Sequence, residues 1–593
     1  MRPRIRPLAA ALATLAAATT AIAVSTPMSL ASWRDAEWVT ATARVMECGD
    51  PETIDSTAWG RVLTGSLLGR PLDPIAAIDG ITVTNTDEIS VATSAADTND
   101  VGEDAWTTDL NLAALSLLDL GAGVTLPFGT NTGVYTQYGR ATSDGVSVGA
   151  SGAVTSTGGI ASLEPPGSAT PRLATLRLAD VLDSVLPGVG MTSALLADLR
   201  VRVGAVGAIA ELDSCDALWA KEAPGSDLER DYLVADLGLD VTSTVVTDIA
   251  SAIRSALNGL ESTLDGLDFV TTTIPGTLTT ALNSALNLPL VRLGQIESLG
   301  VAIDVDLDPV RALVAGPITD GVVTLDLTTG RVSLDLDALF GEAYATSDGL
   351  NGLAPNTSVL TPEVLSAATT RLGALLSDFL TTTVVPEVTT AIDDAQVTVD
   401  IAAKLDVTVS LIPGVPIQVP DALQFTTKLS GTVGGFLGTA GHAVPSADTV
   451  VDVVPGLGTV SGVVSALLGD TLGTIVGLVT TNVRAIGSTV VTPLRAQAIT
   501  AVGTAISTLT GPSGPIASLL IQLRGVFDAV NTLVDLTVNA RPDAPGSVGA
   551  PASAPAGRYF VSALHVGLVD GGGAGLGALY LANASVGPNA LRD

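Results

Sequence analysis

Apolar and polar residues along this chain alternate with two different periods. Val397, Val399, Ile401, Ala403, Leu405, Val407, Val409 and Leu411 are separated by Thr398, Asp400, Ala402, Lys404, Asp406, Thr408 and Ser410. A period of two puts the apolar set on one face of a half-buried strand. At ~3.4 Å per residue that strand would run about 50 Å, so an elongated sheet is predicted. Val323, Leu325 and Leu327, then Val332, Leu334 and Leu336 across Thr328-Thr329-Gly330, predict an antiparallel hairpin beside it. The helical period appears where Ile249, Ile253, Leu257, Leu260, Leu264 and Leu267 recur at three and four residues. It returns at Leu365, Ala368, Leu372, Leu375 and Phe379, after Thr361-Pro362 as an N-cap and first-turn pair. Such stripes must pack on something, and the long strand offers an apolar face.

Residues 32–224 read mostly as strand. Val134 to Gly149 places Tyr, Thr and Val runs around Asp144-Gly145, a hairpin signal, and Leu199 to Val203 alternates again. Residues 225–540 carry the helix and long-strand patterns and become mainly helical from Val463 to Val538. A Pro, Ala and Gly linker or long loop follows over 541–557. The last stretch, 558–593, reads as two strands joined by Asp570-Gly571-Gly572-Gly573. A lone hairpin is marginal in water, so it should dock on an earlier sheet. The expected fold is α+β: mainly antiparallel sheets with long amphipathic helices packed on them, elongated and multi-domain.

Composition narrows the function. Sixty acidic against 27 basic residues give a net charge of -33. That surface repels phosphate backbones, so nucleic acid is excluded as an expected partner. With 47% hydrophobic residues the chain has enough apolar surface to fold. Two His, two Cys and four Met in 593 residues leave little for chemistry, and the composition suits a scaffold.

The first residues read as an export signal over 1–31. Arg2, Arg4 and Arg6 precede the apolar stretch Leu8 to Val24, and Ser29-Leu30-Ala31 supplies small residues where a signal peptidase looks, so cleavage is expected between Ala31 and Ser32. Ala31-Ser32-Trp33-Arg34-Asp35 is similar to the junction of alternate signal peptides cut by a specialised peptidase of exported fibre and surface proteins. No later segment reads as a membrane anchor: Val453 to Gly469 contains Pro455, and Ala496 to Leu523 is interrupted by Gly511-Pro512-Ser513-Gly514-Pro515. The tail Asn589 to Asp593 carries no sorting motif. The expected location is secreted or cell-surface, where Cys48 and Cys215 are candidates for a disulfide.

Candidate chemistry is thin. Gly145-Val146-Ser147-Val148-Gly149 matches a nucleophile-elbow pattern, but that motif needs a strand-to-helix turn and a His base, and Ser147 sits inside strand alternation. His442 and His565 are the only bases of that type and read as structural. Asp97, Asn99, Asp100, Glu103 and Asp104 gather oxygen ligands around Gly102, yet Val101 and Thr108 occupy ligand places of a calcium loop. Asp304, Asp306 and Asp308, like Asp335 and Asp337, share a strand face. Without aromatic sugar platforms they read as a water-facing row rather than as a glycosidase pair. No catalytic, metal or cofactor site is expected.

Four segments carry a family resemblance: the Ala31 to Asp35 junction, Tyr138-Gly139-Arg140-Ala141-Thr142-Ser143-Asp144-Gly145, Leu350-Asn351-Gly352-Leu353-Ala354-Pro355-Asn356-Thr357, and Ala584-Ser585-Val586-Gly587-Pro588-Asn589. On these the chain resembles the choice-of-anchor G family, exported proteins of Gram-positive bacteria. The resemblance implies a cell-envelope or secreted protein with a structural or interaction role, adhesion-type and non-enzymatic. Its expected partners are envelope components or other surface proteins. An extracellular carrier of an apolar, lipid-like ligand is the alternative, and a hydrolase using Ser147 or Asp304 and Asp306 a third.

Overall fold

The computed structural model describes residues 54–592 apart from 68–69, 76–77, 88, 112–133, 162–173, 178–197, 266–273, 287, 413–414, 455–458, 547, 550, 552–553, 555–556 and 570–574. The export segment, the Ala31 and Ser32 junction and Cys48 lie outside the described residues. The fold is α+β, with antiparallel pairing in each of its sheets.

A nine-stranded sheet runs in the order Thr357–Ser358, Val534–Ala540, Tyr559–Val569, Gly575–Val586, Ile54–Leu67, Ile81–Thr86, Ile89–Thr93, with two short strands off this path. The C-terminal pair Tyr559–Val569 and Gly575–Val586 is thus joined edge to edge with the first described strand, from Ala58 opposite Val586 to Leu67 opposite Gly577. Facing it is a six-stranded sheet, Leu228–Val234, Val206–Asp213, Val146–Gly152, Val134–Ala141, Ala105–Asn111, Asn99–Gly102. The hairpin read around Asp144-Gly145 is the central pair of this sheet.

These two sheets approach unusually closely. A Cβ on Gly60 would lie 2.2 Å from the Ala150 carbonyl oxygen and 2.7 Å from that of Tyr138. One on Gly149 would lie 2.4 Å from the Trp59 oxygen and 2.6 Å from the Ser585 oxygen. Ordinary facing sheets stand about 10 Å apart because side chains fill the gap. Here Gly, Ala and Ser let backbone meet backbone, and polar side chains bridge the strands they oppose.

A second six-stranded sheet, Pro317–Thr319, Val323–Asp326, Arg331–Asp335, Gly238–Thr242, Asp198–Val203, Ala174–Arg177, holds the hairpin across Thr328 to Gly330. That hairpin was expected beside the long strand; it pairs instead with Gly238–Thr242. The long strand itself, Gln396–Ile412, has 17 residues and lies between Val291–Asp304 and Val415–Thr432 in a four-stranded sheet closed by Ser446–Val453. Strand periodicity reports which face is buried but not which strand is the neighbour, and Val415–Thr432 was missed because Pro416 and Pro420 break its pattern. Pairing of Val206–Asp213 with Leu228–Val234, and of Asp198–Val203 with Gly238–Thr242, runs across Pro224 and Gly225 and knits together the two regions that composition separates.

Helices pack on these sheets, Thr244–Asp265 and Ile274–Leu286 against Val291–Asp304 beside the long strand and Pro362–Asp378 against Pro317–Thr319 and Val323–Asp326. Ile249, Ile253, Leu257 and Leu260 are buried from Thr244–Asp265, as the stripe requires. Thr361 Oγ1 accepts the Val364 N–H at 3.3 Å and starts Pro362–Asp378. A π-turn, Phe379–Val384, leads into Val385–Asp394. Val483–Thr510 and Pro515–Leu533 complete the layer, but the helical run ends at Leu533: Val534–Ala540 is a strand, its Val534, Leu536 and Val538 meeting the two-residue period.

Candidate functional site

Two of the three segments of the resemblance that fall among the described residues insert asparagines against backbone remote in sequence, and the third, Tyr138 to Gly145, supplies the Gly145 carbonyl that one of them reaches. Asn589 Nδ2 lies 3.1 Å from the Gly145 carbonyl oxygen, 3.1 Å from Ser147 Oγ and 3.0 Å from Ser214 Oγ, while its Oδ1 accepts the Thr57 N–H at 3.1 Å. The tail therefore joins the first strand, the hairpin turn and the segment entering the helix Cys215–Ala220. Asn356 Nδ2 donates to the carbonyls of Arg541 and Pro545 at 2.9 and 3.0 Å, and its Oδ1 accepts the Arg541 N–H at 2.8 Å. Asn351 exchanges two hydrogen bonds with the Val234 backbone, 2.8 and 3.0 Å. The Tyr232 hydroxyl donates to Leu350 O at 2.7 Å and accepts from Leu353 N at 3.0 Å.

At the sheet-to-sheet seam, Asn583 and Ser151 are fully buried. Asn583 Nδ2 donates to the carbonyls of Arg61 and Tyr580, each at 2.9 Å, and its N–H donates to Ser151 Oγ at 2.7 Å. Gln137 Oε1 accepts the Val62 N–H at 2.9 Å and its Nε2 donates to Asp79 O at 3.1 Å. Buried backbone groups left unpaired are costly, and these side chains pair them where ladder partners are unavailable. Sequence reading missed Asn583 and Gln137; their one signal was an amide in the middle of a strand, where such residues are disfavoured.

Ser147 is buried in Val146–Gly152, and the polar side chain that reaches it is Asn589 rather than a base. Replacing Asn589 with Ala would take this acceptor from the Thr57 N–H and this donor from the Ser147 and Ser214 hydroxyls, while the Gly145 carbonyl keeps the Ser214 N–H and hydroxyl. We expect a loss of about 1–3 kcal/mol, read as a lower urea midpoint at unchanged m-value, with Asn589→Asp unable to restore it because the Nδ2 donors are gone.

His565 lies on Tyr559–Val569, its ring 4.8 Å from that of Tyr580 and its Nδ1 3.8 Å from Asp535 Oδ2. Burial pushes its pKa down to about 4, against the upward pull of Asp535. His442 sits elsewhere, Nδ1 3.5 Å from Asp394 Oδ1 and 3.4 Å from Thr432 Oγ1. Neither faces Ser147.

Of the acidic row, Asp304 and Asp306 line a 260 Å³ cleft together with Glu387, Thr390 and Asp394 from one face of Val385–Asp394. Asp308 lies outside the lining and pairs with Arg311 at 2.7 Å. Asp335 caps the helix Leu336–Tyr344 by accepting the Ala338 N–H at 3.0 Å. Burial raises the pKa of Asp337, whose carboxylate accepts the Leu350 N–H at 2.7 Å. The Asp97 to Asp104 stretch is an exposed hairpin turn in which Asp100 accepts the Gly102 N–H at 2.8 Å. Among the described residues, no group of three or more His, Cys, Asp or Glu is placed to hold a metal ion. Between the helices, Leu257, Leu380, Val384, Val388, Val502 and Leu509 line an apolar cavity of 10 Å³, about the space of one water molecule. Cys215 is buried and is half of a disulfide.

A family model described as "Domain of unknown function (DUF8394)" matches residues 58–587. The chain belongs to this family. The matched ends are neighbours in space, since Ala58 stands opposite Val586 in the nine-stranded sheet, so the family segment begins and ends on the strand pair that closes the fold. No curated protein and no solved structure matches the chain.

Proposed function

We propose that this member of the DUF8394 family is an exported cell-envelope or secreted protein with a structural or interaction role of the adhesion type, without catalytic activity, as the choice-of-anchor G resemblance implies. One observation supports the reading above others: the polar side chains of the resembling segments, Asn351, Asn356 and Asn589, are used to pair the backbone of distant strands, and Ser147 is buried beneath one of them. Ser147, which would have to face a substrate in one of the hydrolase readings, faces the scaffold. Among the described residues, the apolar cavity between the helices has room for about one water molecule and none for an acyl chain.

Fractionation of the source cells with N-terminal sequencing is the test. We expect the protein in medium or envelope fractions beginning at Ser32, with Cys48 and Cys215 recovered as one linked peptide pair in a non-reducing digest. A cytosolic species retaining Met1, or alkylation of both thiols without prior reduction, would refute export. A hydrolytic activity abolished by Ser147→Ala or by Asp304→Ala with Asp306→Ala would refute the non-enzymatic half.

A further inference from the structure

The helices Ile274–Leu286, Thr459–Thr481, Val483–Thr510 and Pro515–Leu533 pack side by side as an outer layer. They differ from the rest of this acidic chain in their long uncharged runs, with Asp470, Arg484, Arg524 and Asp528 as the exposed charges. There is no charged residue in Ile274–Leu286, none between Asp470 and Arg484, and none between Arg495 and Arg524. The run Val483–Leu533 is apolar enough to cross a membrane by length and composition, yet only 39% of its most apolar window is buried.

The threonines on the exposed face of these helices are less polar than they look. Thr500, Thr504 and Thr508 stand one turn apart, and each donates its hydroxyl to the carbonyl four residues earlier, at 2.8, 2.9 and 2.8 Å. Thr280 and Thr474 do the same, at 2.9 and 3.0 Å. A hydroxyl whose hydrogen is held within its own helix has no donor left for water, so the face offers methyl groups, glycine backbone at Gly503, and the side chains of Ile499 and Ile521, 38% and 73% exposed.

We infer that this face is a self-association surface and that its occupant is the same face of a second copy. The charge distribution selects that partner. Two chains of net charge -33 repel wherever their acidic surfaces meet, and the sparsely charged helical face is where that opposition is weakest. A two-fold dimer presents one patch to itself, so a sparsely charged patch meets a sparsely charged patch. Small residues along Thr500, Gly503 and Thr504 allow the two helices to approach closely, as small-residue helix faces do elsewhere. An anionic membrane is the poorer match, because its surface potential repels the surrounding acidic body.

Sedimentation velocity at rising protein concentration tests this in the full chain. Going from about 0.1 M to about 1 M salt shortens the screening length from ~10 Å to ~3 Å. This suppresses repulsion between the acidic bodies and leaves an uncharged contact intact, so the dimer should strengthen with salt. Thr504→Lys removes one unit of net negative charge yet places an ammonium in the contact; we expect at least a tenfold rise in the dimer dissociation constant. Asp448→Asn, the same gain in charge on the four-stranded sheet, should leave association equal or tighter. A chain that stays monomeric at all salt concentrations, a dimer that weakens with salt, or a dimer indifferent to Thr504→Lys would overturn the inference. So would flotation of the monomer with neutral phosphatidylcholine vesicles, because it would assign the face to lipid. Each outcome leaves the reading of export and scaffold role standing.

Discussion

Replacing Gly149 with Val should prevent the two large sheets from closing on each other. Even the first carbon of a side chain at this position would stand 2.4 Å from the Trp59 oxygen and 2.6 Å from the Ser585 oxygen, both main-chain atoms in central strands of the facing sheet. A clash with a flexible side-chain tip is relieved by a rotamer change, but a clash with ladder carbonyls requires the strands themselves to move apart. Separation would also break the seam bonds of Asn583, Ser151 and Gln137, whose 2.7–3.1 Å lengths fix the same spacing. The ~1–3 kcal/mol typical of overpacked cores is therefore a lower bound, with the unpaired seam groups adding about 1–3 kcal/mol each. We expect little soluble folded protein for Gly149→Val and a large drop in urea midpoint for Gly149→Ala. Gly259→Ala is the matched control: a side chain there meets nothing within 4 Å on an exposed stretch of Thr244–Asp265, and it should stabilise by about 0.5–1 kcal/mol. Equal midpoints for the two alanine variants would show that the seam tolerates separation.

This seam also explains why some of the architecture was legible in sequence and some was not. The faces of Gln396–Ile412 and Thr244–Asp265 could be read because one apolar surface was being buried against another, and burial writes a period into the sequence. The seam is held by glycine, alanine, serine and amides, which leave no hydrophobic period. The turn at Gly145 was readable locally, whereas the bonds that fasten it come from Asn589, separated from Gly145 by most of the chain. The misplaced hairpin has the same origin. Arg331–Asp335 and Gln396–Ile412 both show a clean alternation, but which strands share a sheet is decided by the long-range order Arg331–Asp335, Gly238–Thr242, Asp198–Val203, and nothing in either segment encodes that choice. Asp304 and Asp306 were grouped correctly with each other and wrongly with Asp308, because the strand stops at Asp304 and the following turn sends Asp308 into a helix with Arg311.

The second large effect is one of pH, and it falls on His565. Its ring is buried between strands, against Tyr580 and within 3.8 Å of Asp535, and its pKa is lowered from 6.5 to about 4 chiefly by burial, with Asp535 opposing. In the unfolded chain the same imidazole protonates near 6.5. Between those values the unfolded state holds a proton that the folded state does not, so unfolding gains in favour as pH falls. The contribution is fully present above about pH 6.5, declines through the window and is lost near pH 4, where the folded protein also protonates; at ~1.4 kcal/mol per pK unit it amounts to about 3 kcal/mol. Carboxylates titrate over part of the same range, so the quantity to measure is the difference between the wild type and His565→Phe, which keeps an aromatic ring beside Tyr580 and cannot protonate. Urea midpoints from pH 7 to pH 4 should fall more steeply for the wild type, with the two profiles converging or crossing toward the acid end. Parallel profiles would mean that His565 is hydrated or paired well enough to protonate in place, with Asp535 stabilising the imidazolium as much as burial penalises it.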